Sequence, residues 1–225
     1  MEPTGSPTPD PGPPEPGPPD GSEETLPPGH LYRLAWVLYL AMALAGAFWL
    51  GWREGGLGLH LLLDPQSWGW DLAAGAAGGV ALLGLWHGAR IFLPQARRLE
   101  GELARVLSSI DRHEALALAL ISGFSEEVFF RGAVQGAFAS HGWLWAALLF
   151  ALLHTGPGPA FRLWTLFAFV AGLVFGGLTV WTGNLLAAVV AHVLVNGVNL
   201  RRLAASPDGM GSEGAEGGVD EDQEG

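Results

Sequence analysis

The sequence predicts an all-α, polytopic integral membrane protein: a helical bundle of about six transmembrane helices, with an interfacial amphipathic helix before the third. Two observations lead to this fold class. Long apolar segments recur through the middle of the chain, several of them near the roughly 20 residues that cross a hydrocarbon core of about 30 Å. The acidic residues are concentrated in the two tails, so the body between them is nearly neutral.

The formal net charge of −11 reflects the tails rather than the body. Residues 1–32 hold six acidic residues and no arginine, and residues 203–225 hold seven acidic residues and no arginine. Residues 33–202 hold nine acidic residues and all 11 basic ones, every one an arginine. Because no basic patch is interleaved with aromatic residues, nothing supports nucleic-acid binding. Because cysteine is absent, a disulfide framework, a thiolate nucleophile and a zinc–thiolate site are excluded.

The two ends of the chain have the composition of unfolded segments. Residues 1–30 are dominated by proline, glycine and acidic residues, and residues 206–225 by glycine and acidic residues. Such segments bury too little apolar surface to offset the entropy of ordering. We therefore expect a disordered tail on each side of a membrane domain that covers residues 31–205.

Six apolar segments follow one another within that domain. A soluble core seldom contains so many helices that are long and apolar on all faces, so each segment is interpreted as a span. The fourth is the weakest, because a Gly-Pro-Gly-Pro sequence from Gly156 ends it early. The segments are 31–52, 68–93, 113–138, 140–156, 161–182 and 184–203.

Residues 94–112, between the second and third spans, show a different pattern. Leucines such as Leu99 and Leu103 recur at helical spacing, while arginines occupy the other faces. This pattern predicts a helix in the cytoplasmic membrane interface, or a plain cytoplasmic connecting helix. Asp111, followed by Glu114, resembles a capping box that opens the third span.

The arginines also predict the orientation of the bundle. An even number of six spans places both termini on the same side of the membrane. Nine arginines fall on that side, and only Arg53 falls on the opposite side. Positively charged residues favour the cytoplasmic side. We therefore expect a multi-pass protein of the cell inner (plasma) membrane with both termini in the cytoplasm.

Ionisable residues inside the third span require an explanation, because each costs about 2.5–3.5 kcal/mol on insertion scales. Glu127 and Arg131 are four residues apart, so they lie on one helical face and can pair. This pairing leaves Glu126 as an unpaired carboxyl group, which suits a general acid or base. A charge network that only locks helices together is the alternative interpretation.

Three further polar residues lie in the later spans. His154 ends the fourth span, where its imidazole would lie beside Glu126 if the third and fourth spans pack antiparallel. His192 and Asn196 are four residues apart on one face of the sixth span. They could donate hydrogen bonds to an oxyanion, or bind a metal ion together with Glu126 and His154.

Three motifs, in this order, resemble those of the CPBP intramembrane proteases, which are related to type II CAAX prenyl endopeptidases and bacteriocin-processing proteins. EEVFFR at 126–131 fits the family pattern EExxxR, FALLH at 150–154 fits FxxxH, and HVLVN at 192–196 fits HxxxN. The resemblance covers a protease-like core at about 113–200. The first two spans and both tails lie outside it.

The resemblance implies a glutamate-dependent endopeptidase that works in the bilayer without a covalent intermediate. Glu126 and His154 would activate a water molecule, and His192 and Asn196 would stabilise the oxyanion. Glu127, with its arginine partner, would orient and neutralise the surroundings. Whether a divalent metal such as zinc takes part stays open; its ligands would be Glu126, His154, His192 and Asn196.

The implied substrate is a membrane-associated peptide or protein, cleaved near the cytoplasmic face of the lipid bilayer. Two other functions stay open. One is a non-catalytic membrane scaffold or bacteriocin-immunity-type protein. The other is a small proton-coupled transporter, which is less favoured because the sequence shows neither an internal repeat nor a broken substrate helix.

Overall fold

Seven α-helices form the fold in the residues that the computed structural model describes, namely 29–55, 66–107, 109–138 and 140–205. In chain order they are α1 (His30–Glu54), α2 (Trp68–Phe92), α3 (Pro94–Val106), α4 (Arg112–Glu127), α5 (Gly142–Leu153), α6 (Ala160–Thr182) and α7 (Leu186–Ala204). A π-helical segment, Val128–Gln135, directly continues α4. These described ranges contain no β-strand. The predicted disordered tails fall outside them, apart from residues 29–30.

Four of the helices are long and apolar enough to cross a membrane: α1, α2, α6 and α7. The predicted class, a helical membrane bundle, is therefore confirmed. Among the described helices, these four meet the requirement of length and hydropathy, which is fewer than the expected number of about six spans. Helix α5 is apolar but only 12 residues long, because His154 leaves the helical conformation at φ −101°. The continuous helix from Arg112 to Gln135 carries the ionisable residues of the predicted third span.

The amphipathic helix before the third span is present as α3, but it ends at Val106 rather than at the predicted residue 112. The reason is Asp111, whose extended backbone (φ −80°, ψ 174°) forms the N-cap of α4. Its carboxylate accepts hydrogen bonds from the backbone amides of His113 and Glu114, and the Glu114 side chain accepts one from the Asp111 amide. The predicted capping box is therefore confirmed.

Close packing of the helices depends on glycine at several crossings. Helix α7 packs against both α2 and α4, and α1 packs along α4 and its π-helical continuation. A Cβ atom at Gly75 in α2 would lie 2.5 Å from the carbonyl oxygen of Ala187 in α7. One at Gly46 in α1 would lie 2.9 Å from the Cα atom of Phe129. Small residues of this kind allow membrane helices to approach backbone to backbone.

The π-helical segment is anchored by a side chain from outside its own helix. Arg53, at the end of α1, donates hydrogen bonds to the carbonyl oxygens of Ala133 at 2.7 Å and Gly132 at 3.1 Å. Short π-helical turns within α-helices are rare and often lie at functional sites. Here the segment begins immediately after Glu127 and contains Arg131.

Candidate active site

The carboxyl group of Glu126 faces two histidine rings that come from other helices. Its Oε2 atom lies 3.9 Å from Nε2 of His154, at the C-cap of α5, and 3.8 Å from Nε2 of His192 in α7. Glu126 is 4% exposed, and its Oε2 atom accepts no hydrogen bond from the described residues. The structure therefore brings together three of the predicted site residues around one free carboxylate oxygen.

Both imidazoles are oriented through their Nδ1 atoms. Nδ1 of His154 lies 2.7 Å from the carbonyl oxygen of Phe150, and Nδ1 of His192 lies 2.7 Å from Oε1 of Glu127. Since a carbonyl oxygen and a carboxylate can only accept, each Nδ1 carries the hydrogen of its bond. Each Nε2 atom therefore accepts a hydrogen bond when its ring is neutral and donates one when its ring is charged.

The spacing around Glu126 suits a bridging water molecule. Separations of 3.8 and 3.9 Å are too long for a direct hydrogen bond, but one water can connect such groups. A water in this position would donate one hydrogen bond to Oε2 of Glu126 and the other to a neutral imidazole. Its oxygen lone pairs would then be available for nucleophilic attack.

The neighbouring Glu127 lies in a different environment. It is fully buried, and its Oε1 atom accepts hydrogen bonds from Arg131 at 3.2 Å and from His192. The same guanidinium group donates to the carbonyl oxygen of Gly172 in α6 at 3.1 Å and lies 4.8 Å from the ring centroid of Phe150. The i, i+4 ion pair is therefore present, and it holds the ring of His192 in place.

Aromatic rings enclose both imidazoles. His192 stacks on Phe175, with ring centroids 4.7 Å apart and an interplanar angle of 14°. The ring of His154 lies 4.2 Å from that of Phe150 and 6.0 Å from that of Trp164. This packing restricts rotation of the imidazoles.

Asn196 lies on the same face of α7 as His192, and its hydrogen bond goes to a residue of α4 other than Glu126. Its Nδ2 atom donates a hydrogen bond to Oγ of Ser122 in α4 at 3.0 Å. One of the two hydrogens of this carboxamide nitrogen is therefore engaged with a serine, and the other is left for a second acceptor. Asn196 also lines a cavity of about 480 Å³ between α3 and α7.

This cavity lies at the arginine-rich end of the bundle, and Asn196 is the predicted site residue that lines it. Apolar residues line it from several helices, among them Trp86, Leu103, Trp164 and Leu200. Charged residues also line it: Arg90, Arg97, Glu100 and Arg202. Because Trp164 contacts both the cavity and the ring of His154, an apolar peptide segment in the cavity would lie next to the candidate site.

The same residues include donor types that a metal ion can bind. One carboxylate oxygen and two imidazole nitrogens are suitable donors for zinc. Ligands of one tetrahedral zinc ion lie about 3.3 Å apart, whereas Glu126 lies 3.8 and 3.9 Å from the two histidines. No group of three or more His, Asp or Glu side chains placed to hold a metal ion occurs in the described part of the chain. The arrangement does not fit a zinc site.

One polar contact of this site was not predicted from the sequence. Ser122 is the partner of Asn196. The position of Ser122, one helical turn before Glu126 on the same face, was a signal that could have identified it.

Fold and site together define a helical membrane protein with a buried glutamate–histidine cluster. Residues 112–198 match the family model described as "Type II CAAX prenyl endopeptidase Rce1-like". The resemblance predicted from the three motifs is therefore confirmed for this segment, which contains all six predicted site residues. Helices α1 and α2 lie outside the match.

One curated relative has no assigned function. The uncharacterized protein YpbD of Bacillus subtilis (strain 168) is 39% identical over 87 residues, which cover 36% of this chain and 41% of the relative. The chain thus matches less than half of the length of this relative. No solved structure matches the chain.

Proposed function

We propose that this protein is an intramembrane endopeptidase of the CAAX-protease type, which hydrolyses a peptide bond of a membrane-associated peptide or protein. The observation that carries the proposal is the position of Glu126 Oε2, at 3.9 and 3.8 Å from Nε2 of His154 and His192. A buried carboxylate beside two oriented imidazoles is suited to general acid–base chemistry. The family match over residues 112–198 supports the same reaction.

The proposed reaction begins with water held between Glu126 and His154. Glu126 takes a proton from this water as the oxygen attacks the scissile carbonyl carbon and forms a tetrahedral intermediate. The same proton then passes to the leaving amine when the carbon–nitrogen bond breaks, so no covalent enzyme intermediate forms. Hydrolysis is complete with one new carboxyl group and one new amine, and Glu126 returns to its starting state.

Stabilisation of the oxyanion is assigned to α7. As an imidazolium, His192 donates from Nδ1 to Glu127 and from Nε2 to the oxyanion, while Arg131 balances the charge of Glu127. Asn196 contributes with the Nδ2 hydrogen that is not bonded to Ser122. Donors aimed at the developing charge are the strongest contribution to many hydrolytic reactions.

We further propose that the substrate reaches the site from the cytoplasmic face of the plasma membrane. The cavity between α3 and α7 supports this, because its apolar wall suits an apolar peptide segment and Asn196 is among the residues that line it. The arginines at this end of the bundle favour a cytoplasmic location for it and for both termini. The lipid bilayer is the second partner, since it presents the tethered substrate to α3.

We propose that the hydrolytic water is activated without a resident metal ion, because the donor atoms are not spaced as zinc ligands. The protein should keep its activity after exhaustive treatment with a chelator. Metal analysis of the active protein should find less than one equivalent. Loss of activity on chelation, followed by recovery with zinc alone, would contradict this part of the proposal.

Cleavage in a defined membrane tests the function. The purified protein is reconstituted in liposomes with a reporter peptide whose apolar segment and C-terminal region lie at the bilayer surface, in H₂¹⁸O. Mass spectrometry should detect two fragments, with ¹⁸O in the newly formed carboxyl group. Binding of the peptide without cleavage would indicate a scaffold or immunity-type protein, and proton flux without cleavage would indicate a transporter.

A further inference from the structure

A groove of about 590 Å³ runs between the beginning of α4 and the end of α7. Three arginines line it: Arg112 from α4, and Arg201 and Arg202 from α7. None of the described residues that line this groove is acidic. The groove therefore holds three positive charges that no lining carboxylate balances.

Two of these arginines are available to an external anion. The side chains of Arg112 and Arg201 are exposed, and they form no hydrogen bond or ion pair within the described ranges. The acidic residues next to Arg112 are engaged in the cap of α4. The Asp111 carboxylate accepts from backbone amides, and the Glu114 side chain accepts from the Asp111 amide.

Further along the two helices, the groove is apolar. Leu116, Leu194 and Val198 line this part, and Leu116 and Val198 are 41% and 38% exposed. Leu194 precedes Arg201 by two helical turns, which is about 10 Å along the axis. An occupant that fits must therefore combine an anionic group with an apolar part that extends about 10 Å from it.

Anionic phospholipids have this combination, because a phosphate group is joined to long acyl chains. Basic pockets between membrane helices on the cytoplasmic side bind such headgroups. Helix α7 is long and apolar enough to cross a membrane. The arginines concentrated at this end of the bundle favour the cytoplasmic leaflet, where anionic lipids are enriched.

The acidic residues that follow Ala205 in the sequence match the charge of the groove but not its apolar part. Residues 206–225 contain seven acidic residues, but only two large apolar side chains, Met210 and Val219. A phospholipid satisfies both parts of the groove, and the acidic segment satisfies one.

We propose that this groove binds one anionic phospholipid, with the phosphate group at Arg112 and Arg201 and an acyl chain along the apolar residues between α4 and α7. The bound lipid bridges the two helices that carry Glu126 and His192. The proposal does not depend on peptide hydrolysis, because it concerns a groove other than the cavity lined by Asn196.

A lipid titration tests the charge of the ligand. The purified full chain in detergent is titrated with dioleoyl-phosphatidylglycerol or dioleoyl-phosphatidylcholine, and native mass spectrometry gives the Kd of each complex. The two lipids share the phosphate group and both acyl chains but differ in net charge. We expect the Kd for phosphatidylglycerol to be at least about fivefold lower, the effect of one arginine near an anionic surface.

Two pairs of substitutions test the position of the phosphate group. Arg112→Gln combined with Arg201→Gln should raise the Kd for phosphatidylglycerol about 10- to 30-fold. Arg33→Gln combined with Arg98→Gln is the matched control, since both are exposed and neither lines the groove. The control pair should change this Kd less than about threefold. Arg202 stays unchanged, because it also lines the cavity beside α3.

Two further probes test the acyl chain. sn-Glycerol 3-phosphate carries the phosphate group without acyl chains, and it should not displace phosphatidylglycerol at equal concentration. A phosphatidylglycerol with a photoreactive acyl chain locates the lipid on the unmodified protein. It should cross-link to the peptides that contain Leu116 and Leu194.

Four results would each overturn the proposal. Equal Kd values for the two lipids, or equal losses in the two variant pairs, would indicate that the arginines of the groove do not select the headgroup. Displacement by sn-glycerol 3-phosphate would indicate a phosphate site without a lipid chain. Cross-links confined to other helices would place the lipid elsewhere. Binding of phosphatidylglycerol only after removal of residues 206–225 would assign the groove to the acidic segment.

Discussion

Nδ1 of His192 lies 2.7 Å from Oε1 of Glu127, and this contact gives the two adjacent glutamates different tasks. Glu127 is bound to the imidazole on one side and to Arg131 on the other. Glu126 is one residue earlier, about 100° around the helix, and faces the opposite nitrogen of the same imidazole. One glutamate therefore orients the ring, and the other is left free to accept a proton.

The two glutamates should differ sharply in their effect on stability. Glu127→Gln leaves the buried guanidinium of Arg131 without its counter-charge, and breaking a buried pair costs about 3–5 kcal/mol. Glu126→Gln removes a charge whose Oε2 atom accepts no hydrogen bond from the described residues, so the free energy of unfolding should change by less than about 1 kcal/mol. Denaturant unfolding in mixed micelles measures both. Equal losses in the two variants would contradict the division of tasks.

The carboxamide of Asn196 provides a second comparison. Asn196→Ala should lower kcat about 100- to 1,000-fold, which is typical for removal of one oxyanion donor. Ser122→Ala removes only the resting partner of that carboxamide, so kcat should fall less than about 10-fold. Steady-state cleavage kinetics give kcat for both variants and so test this difference. If Ser122→Ala proves as harmful as Asn196→Ala, the hydrogen bond between the two residues, rather than a donor to the oxyanion, is the important feature.

Two glycines of α2 test the packing of the bundle. Gly75→Ala would place a Cβ atom 2.5 Å from the carbonyl oxygen of Ala187, so α2 and α7 must separate, at a cost of about 1–3 kcal/mol. Gly84, in the same helix, has no atom within 4 Å of such a Cβ among the described residues. Gly84→Ala should keep or raise the free energy of unfolding by up to about 1 kcal/mol. A tolerated Gly75→Ala would refute the close α2–α7 contact.

The cap of α4 should be sensitive to acid. Hydrogen bonds from the backbone amides of Glu114 and His113 lower the pKa of the exposed Asp111 carboxyl group below its ordinary value of 3.8. A group with a lowered pKa in the folded state stabilises the fold above its ordinary pKa, and this stabilisation is lost as the pH falls through the folded value. Hydrogen exchange of the His113 and Glu114 amides should therefore accelerate, relative to unfolded peptides, only in acid below pH 3.8.

Asp111→Asn is the control for this titration. Its carboxamide oxygen still accepts hydrogen bonds at an N-cap but does not titrate. Protection of the two amides should then persist into acid. The same acid-induced loss in both proteins would show that another group controls the start of α4.

Local features of the site could be predicted because helical geometry alone determines them. Glu127 and Arg131 are one turn apart, and the sequence around Asp111 contains the capping box; both contacts are present in the structure. The apolar segments likewise predict most of the helices, since length and hydropathy define a membrane-spanning helix. The roles of the site residues stay predictions.

Contacts between distant segments could not be predicted in the same way. Helix α1 packs against the backbone of Phe129 only because Gly46 has no Cβ atom, and a single sequence does not encode this register in a local pattern. The π-helical segment Val128–Gln135 has no sequence signature of its own; Arg53, more than 70 residues earlier, donates to its carbonyl oxygens. The early end of α5 at Leu153, in contrast, lies close to the end that the Gly-Pro-Gly-Pro sequence from Gly156 predicted for the fourth span.

The central claim is that Glu126 is the base that activates water for peptide hydrolysis. Its most direct test is kcat/KM of Glu126→Gln in the reconstituted cleavage assay, measured beside the unmodified protein and with unfolding checked in the same preparation. The variant should fold normally and lose at least about 1,000-fold in kcat/KM, since the amide cannot accept the proton. A well-folded Glu126→Gln that cleaves the reporter as fast as the unmodified protein would contradict the account.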